Sequence, residues 1–260
     1  MSAILFDLDG VLYEGDHAIT GAAETIRWFN SQSIPHLFLT NTSSIPRSAL
    51  VEKLAAFDIT TSADQFLTPP LATAQWLKLN SDGPIALFIP EATKSEFSEF
   101  DICTDITEPV SAVVIGDLGE HWDFTTLNLA FRLLIENSDA SLIALGMTRY
   151  WRAENGLQLD AGSYVSALNY ATGKEPVVLG KPAKEFYQAA LNILNTKNNN
   201  TVMIGDDIKG DIEAAQSAGL KTILVRTGKY SPSDLNLGIT PDVIINSIAD
   251  LTNWWTSNQL

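Results

Sequence analysis

Ile4-Leu5-Phe6-Asp7-Leu8-Asp9-Gly10 opens the chain with an apolar run that breaks abruptly into two acids and a glycine. An apolar run ending in charge is how a parallel strand buried on both faces meets its loop. In open α/β sheets, ligands bind beyond the carboxyl ends of such strands. Three further stretches repeat the pattern: Thr40-Asn41, Gly180-Lys181-Pro182, and Gly205-Asp206-Asp207 with Asp211 five positions beyond Asp206. In order they supply acid, hydroxyl and amide, ammonium, and acid. That set suits transfer of a phosphoryl group beside a Mg²⁺ ion.

Working outward, the pattern alternates strand and helix. Residues 4–6 read as a strand; Ile19, Ala22, Ala23, Ile26 and Phe29 recur at helical spacing; residues 37–39 read as a second strand ending at Thr40. A helix is predicted to open at Ser44-Ile45-Pro46, where proline suits the first turn, and to carry Leu50, Leu54 and Phe57 on one face. Late in the chain the alternation returns. Residues 177–179 read as a strand, followed by a helix from Pro182 with Phe186, Ala189, Ala190 and Ile193 inward. Then come a strand at 201–204, a helix over 211–218 closed by Gly219, and strands at 223–225 and 243–245. Such alternation specifies an α/β fold built on a doubly wound, Rossmann-like parallel sheet.

The middle of the chain interrupts the series. Residues 79–176 hold apolar runs at 85–89, 113–115 and 142–145, none of which ends in one of the four polar stretches. This length can fold as its own unit. Residues 1–78 and 177–260 are therefore expected to form a discontinuous catalytic core, and residues 79–176 an inserted α/β cap over its catalytic edge.

Composition narrows the function classes. Lys and Arg number 16 against 31 Asp and Glu, so the net charge is 16 − 31 = −15 over 260 residues. That excess opposes non-specific binding to nucleic acid or to an anionic membrane, and a phosphorylated substrate would need local positive charge. Cys103 is the single cysteine and permits no intrachain disulfide and no thiolate zinc site. With no basic leader and no run of 18 apolar residues, the expectation is a cytoplasmic protein without signal peptide or membrane span.

The acids carry the chemistry. Asp7, Asp9, Asp206, Asp207 and Asp211 converge if the strands ending at Asp7 and Gly205 are neighbours. Two carboxylates about 4 Å apart repel by roughly 4 kcal/mol at an effective dielectric of 20, so such a cluster must hold a proton or a cation. Oxygen ligands without His or Cys favour a hard ion, and Mg²⁺ is the expected cofactor. Asp7 can act as a nucleophile, since carboxylates form aspartyl-phosphate intermediates. Asp9, two residues on, points to the same side of an extended segment and is placed for general acid/base work. Thr40 and Asn41 can donate to phosphoryl oxygens. Lys181 can neutralise phosphoryl charge or hold the acids together. Asp207 and Asp211, four apart, could share a helix face and orient metal-bound water and Lys181.

With Asp7-Leu8-Asp9-Gly10-Val11-Leu12, Thr40-Asn41, Lys181 and Gly205-Asp206-Asp207 through Asp211 in place, the chain resembles the haloacid dehalogenase-like phosphatases. It looks like their NagD-type subclass with a C2-type cap, because the insert lies between the Thr and Lys stretches and Asn follows the Thr. Ala130-Phe131-Arg132-Leu133-Leu134 and Thr227-Gly228-Lys229-Tyr230 look like the same branch. The resemblance implies Asp7 as nucleophile and Asp9 as acid/base. It implies Mg²⁺ on the Asp7 side chain, the Asp9 carbonyl and Asp206, with Asp207 and Asp211 behind them. It further implies that Thr40, Asn41 and Lys181 hold the phosphoryl group, that the substrate is a small phosphorylated molecule, and that a homodimer would form through the cap.

The cap would supply specificity. Gly146-Met147-Thr148-Arg149-Tyr150-Trp151-Arg152 is the expected reader, with Arg149 gripping an anion and Tyr150 or Trp151 either stacking on a ring or packing within the cap. Two other readings compete with an enzyme: a signalling receiver domain, and a phosphate-responsive binding protein with little turnover. A receiver is much shorter and carries its phosphoacceptor on an interior strand, whereas Asp7 ends the first strand here. The intact Asp7, Asp9, Lys181 and Asp206 argue for turnover.

Overall fold

The opening apolar run forms the strand Ala3–Asp7, and all five of its residues are buried. Burial on both faces requires neighbours on both edges and helices on both sides. In the computed structural model, which describes residues 3–103, 108–153 and 156–258 (the side chains of residues 152 and 153 apart), parallel strands flank it on each edge. The six-stranded sheet runs Val243–Ile245, Lys221–Val225, Thr201–Gly205, Ala3–Asp7, His36–Leu39, Phe66–Leu67, and every pairing is parallel. The strand order reverses direction beside Ala3–Asp7, at the crevice where open α/β sheets take their ligands.

Helix Ala22–Ser31 covers this sheet with Ala22, Thr25, Ile26 and Phe29. Phe29 meets Phe6 edge-on at 5.4 Å between centroids. Ile19, expected within the helix, lies just before its first turn. The next helix spans Arg47–Ala55 and buries Leu50 and Leu54, while Phe57 packs on the core from beyond its end.

The described residues divide into two compact units. The first lies within Met1–Thr40, Arg47–Leu67 and Lys181–Leu260, the second within Asn41–Pro46 and Thr68–Gly180. The divisions expected at 78/79 and 176/177 are thus displaced. Helix Pro69–Asn80 belongs to the second unit, where Lys78 pairs with Glu99 and Ser81 Oγ meets Ser111 Oγ at 2.5 Å. The run at 177–179 also belongs there: Val177 pairs with Ile143 and Val178 with Ala144. An apolar run announces a strand and says nothing of which sheet receives it.

The second unit has its own parallel sheet, ordered Val177–Val178, Ser141–Ala144, Ala112–Ile115, Ile85–Phe88. Helices Phe124–Glu136 and Ala161–Thr172 pack on it through Leu133, Leu134, Val165 and Leu168. Asp123 and Asp160 cap their N-termini through side-chain oxygens, satisfying backbone donors that the helices leave free. A separate hairpin pairs Tyr150–Ala153 with Gly156–Leu159. Among the described residues no helix is long and apolar enough to cross a membrane.

Candidate active site

Register in the core sheet aligns Phe6 with Ile204, so Asp7 ends its strand level with Gly205 and Asp206 follows in the adjoining loop. Asp211 returns to the same place along a π-helical stretch, Ile208–Glu213, in which the Ile212 N–H reaches back to the Asp207 carbonyl at 3.2 Å. The regular helix expected over 211–218 is confined to Ala214–Ser217. The Asp207 carbonyl accepts the Asp211 N–H as well, at 3.0 Å, so the first turn brings Asp211 back beside the strand end. Carboxylate oxygens of Asp7, Asp206 and Asp211, all buried, lie within 4.8 Å of one another.

Lys181 holds this cluster together. Its Nζ donates to Asp7 Oδ1 at 2.6 Å and to Asp211 Oδ1 at 2.7 Å, with the whole residue only 7 % exposed. Asp211 Oδ2 accepts the Asp207 N–H at 3.2 Å. The helix after Lys181 begins at Lys184, later than Pro182 would suggest, and buries Phe186, Tyr187, Ala190 and Leu191. Its inward face is therefore rotated from the expected one, because the Tyr187 hydroxyl donates to the Gly210 carbonyl at 3.2 Å behind the site.

The electrostatics follow from burial. Removal from water, and then the Asp211 carboxylate, raise the Asp7 carboxyl to about 7 against the pull of Lys181. Burial likewise raises Asp206 to about 6, opposed by the N–H of Lys229. Lys181 stays an ammonium: burial works against its charge, but Asp211 and Asp7 outweigh it and hold its pKa well above the usual lysine value.

Two of the five acids do not join the cluster. Asp9 is exposed, one residue past the buried Leu8. Asp207 faces away from Asp211: it caps the following turn by accepting the N–H groups of Lys209 and Gly210 at 3.0 and 2.8 Å. Burial pushes the Asp207 pKa up, but the Gly210 N–H and the Lys229 ammonium prevail and lower it. Asp207 is engaged by the turn it caps through Oδ1 and by the Lys229 ammonium at 3.3 Å through Oδ2.

One buried oxygen stands out. Asp206 Oδ2 accepts the Lys229 N–H at 2.6 Å, whereas Oδ1 is buried with no hydrogen-bond partner among the described residues. An unsatisfied carboxylate oxygen is costly in the interior unless a cation meets it. Three carboxylates against one ammonium leave up to two negative charges, which is the charge of one divalent cation. The residues present therefore fit a metal ion. Gly10 completes the enclosure: at φ +82° it takes a backbone form that favours glycine, and a Cβ there would lie 2.0 Å from Asp206 Oδ2.

Thr40 is buried at the end of His36–Leu39, its N–H donating to the Leu67 carbonyl at 3.3 Å. Asn41 and Arg149 belong to the second unit. The Arg149 backbone is held by the Asp160 N–H at 3.0 Å and by Ser163 Oγ at 2.7 Å, while its side chain is exposed. Tyr150 and Trp151 are 56 % and 42 % exposed, so neither serves as buried packing. The Arg152 side chain lies outside the described residues. Sequence reasoning passed over Tyr187, Glu14 and Lys229 as site neighbours. For Lys229 the signal was the stretch Thr227-Gly228-Lys229-Tyr230 after an apolar run, part of the family resemblance but given no place at the site.

Residues 4–103 match the family model of the haloacid dehalogenase-like hydrolases, and residues 178–251 match a second, HAD-hydrolase-like model. The chain is 38% identical over 235 residues to phospholysine phosphohistidine inorganic pyrophosphate phosphatase of Rattus norvegicus, covering 89% of this chain and 85% of that protein. Among solved structures it resembles a p-nitrophenyl phosphatase from Archaeoglobus fulgidus, with TM-score 0.87, 26% identity, and coverage of 97% and 98% of the two chains. It also resembles NagD from E. coli K-12, with TM-score 0.87, 25% identity, and coverage of 96% and 98%.

Proposed function

The chain belongs to the haloacid dehalogenase-like hydrolases, as a phosphatase of that family, and on this premise we propose that it hydrolyses a small phosphorylated metabolite through an aspartyl-phosphate on Asp7, with Mg²⁺ bound. The observation that carries the reading is the buried, unpartnered Oδ1 of Asp206 among three clustered carboxylates. Mg²⁺ on Asp7, the Asp9 carbonyl and Asp206 would neutralise charge on the transferring phosphoryl group.

The chain's own residues then divide the work. Lys181 holds Asp7 through Oδ1, and Oδ2 attacks phosphorus. As the bond from phosphorus to the leaving oxygen breaks, Asp9 gives that oxygen a proton. Asp9 then takes a proton from water, which attacks the phosphorus and releases Asp7 and inorganic phosphate. Exposure suits Asp9 to this exchange of protons. Thr40 and Asn41 donate to the phosphoryl oxygens, and the Lys181 ammonium offsets their charge. Asp211 keeps Lys181 in place, and Asp207 fixes the turn from which Asp211 projects. The alternative of a binding protein with little turnover is not favoured by relatives that are phosphatases.

Chelation should abolish hydrolysis of p-nitrophenyl phosphate and added Mg²⁺ should restore it; undiminished activity in excess chelator would sink the metal assignment. Protons on Asp206 and Asp7, with pKa values raised to about 6 and about 7, compete with the cation. Mg²⁺ binding should therefore tighten as pH rises through 6 to 7, with proton release seen by calorimetry in buffers of different ionisation enthalpy.

We assign substrate selection to the second unit as a C2-type cap, with Arg149 gripping an anionic part of the substrate. Arg149→Ala should raise KM for a metabolite found by screening about tenfold or more, and leave p-nitrophenyl phosphate hydrolysis nearly intact. Equal loss on both substrates would place Arg149 in the catalytic machinery or in closure, and end the division between a reacting core and a reading cap.

A further inference from the structure

Within the core unit, the strand Lys221–Val225 leads into a turn at residues 227–229 that reaches three other parts of the site. Thr227 Oγ1 donates to the Gly10 carbonyl at 2.5 Å, directly after the Asp7-Leu8-Asp9 segment. The Gly228 N–H donates to Glu14 Oε1 at 2.7 Å. Lys229 addresses both neighbouring acids, its N–H donating to Asp206 Oδ2 at 2.6 Å and its Nζ to Asp207 Oδ2 at 3.3 Å. The approach leaves no slack. Gly228 has φ +63°, and a Cβ on it would lie 2.0 Å from Asp206 Oδ2 and 2.5 Å from the Gly10 Cα.

We infer that residues 227–229, with Glu14 as their anchor, are positioning residues for the cation seat: they commit Asp206 Oδ2 to the protein and leave Oδ1 as the oxygen offered to a divalent ion. The inference rests on the reading of Asp206 as a cation ligand. A carboxylate able to rotate must be ordered when the ion arrives, and that cost falls on affinity. Here the ordering is done beforehand, during folding, by one backbone donor on Asp206. The Thr227 and Glu14 links tie the same turn to the segment that carries Asp9, so two of the proposed ligand-bearing segments are held in one register.

The full-length, metal-free protein titrated with magnesium chloride by calorimetry tests this. Thr227→Val keeps shape but loses the donor to Gly10, and should raise the Mg²⁺ Kd about tenfold to a hundredfold, the range for loss of an outer hydrogen-bond partner. Thr227→Ser should restore it. Glu14→Ala should weaken binding and Glu14→Gln, which still offers an oxygen to the Gly228 N–H, should recover it. Gly228→Ala should have the largest effect; if it does not fold, the Thr227 and Glu14 pairs still decide, since Glu14 is an exposed residue. A merely structural turn would lower the metal-free melting temperature without moving the Kd. Thr227→Val and Glu14→Ala proteins that bind Mg²⁺ as the natural chain does would overturn the inference. Asp206→Asn separates the two levels: if it loses Mg²⁺ while Thr227→Val keeps it, only the positioning role falls. If Asp206→Asn binds unchanged, or the natural chain binds none, the ligand reading and the positioning role fall together.

Discussion

Asp7→Asn is expected to lower turnover by at least about three orders of magnitude on every substrate, because the change removes the attacking oxygen's charge while keeping the side chain's shape. The fold should survive, and in chelator it should be more resistant at high pH. The Asp7 carboxyl is raised from 3.8 to about 7, first by burial and then by Asp211. A raised carboxyl favours the folded state below pH 3.8, and that contribution is lost as pH rises through about 7. Ionised and metal-free, Asp7 thus costs on the order of a few kcal/mol, which Asn does not. Melting temperatures in chelator should be similar for the two proteins near pH 4 and favour Asp7→Asn near pH 8. Substantial hydrolysis by the folded variant would move the nucleophile elsewhere.

Lys181→Met should lose both activity and stability. It removes the ammonium shared by Asp7 and Asp211 and leaves buried carboxylates uncompensated. Breaking a buried ion pair from one side costs about 3–5 kcal/mol, and loss of the charge that meets the phosphoryl group should lower kcat by about two orders of magnitude or more. Unlike Arg149→Ala, the effect should be the same for large and small substrates. The sign of its pH dependence is fixed by the same carboxylates. Without Lys181, whose charge lowers it, the Asp7 pKa rises further above its already raised value, so the stability deficit in chelator should widen from pH 4 to pH 8 and shrink when Mg²⁺ is added. Denaturant unfolding at the two pH values measures it, and a deficit independent of pH would show that Lys181 acts by packing rather than charge.

Asp7, Thr40, Lys181 and Asp206 were legible for a physical reason: each stands at the end of an apolar run, and in a parallel sheet the end of a buried strand is where polar groups gather. Asp7, Thr40 and Asp206 follow strands of one sheet. Lys181 was found by the same rule, although the strand before it, Val177–Val178, pairs in the other sheet. Its ammonium nevertheless reaches Asp7 and Asp211 from the first residue of the core's returning segment. The helical face of Ala22–Ser31 was readable because Ala22, Ile26 and Phe29 obey a period that needs no knowledge of the partner surface.

What the sequence determined by itself is therefore local and periodic: most strands of the two parallel sheets, the helices Ala22–Ser31, Arg47–Ala55 and Lys184–Ile193, and the motif residues that identify a haloacid dehalogenase-like hydrolase. Tertiary structure alone decided which sheet received Val177–Val178, and that Pro69–Asn80 joins the second unit, because strand and helix patterns do not name their partners. It also chose three acids of five. Asp211 turned inward through a π-helical stretch, Asp207 was used as a cap, and Asp9 was left at the surface. Last, it placed the Lys229 N–H on Asp206, a contact no motif can announce, since every residue but proline carries the same donor and only the fold selects which one arrives.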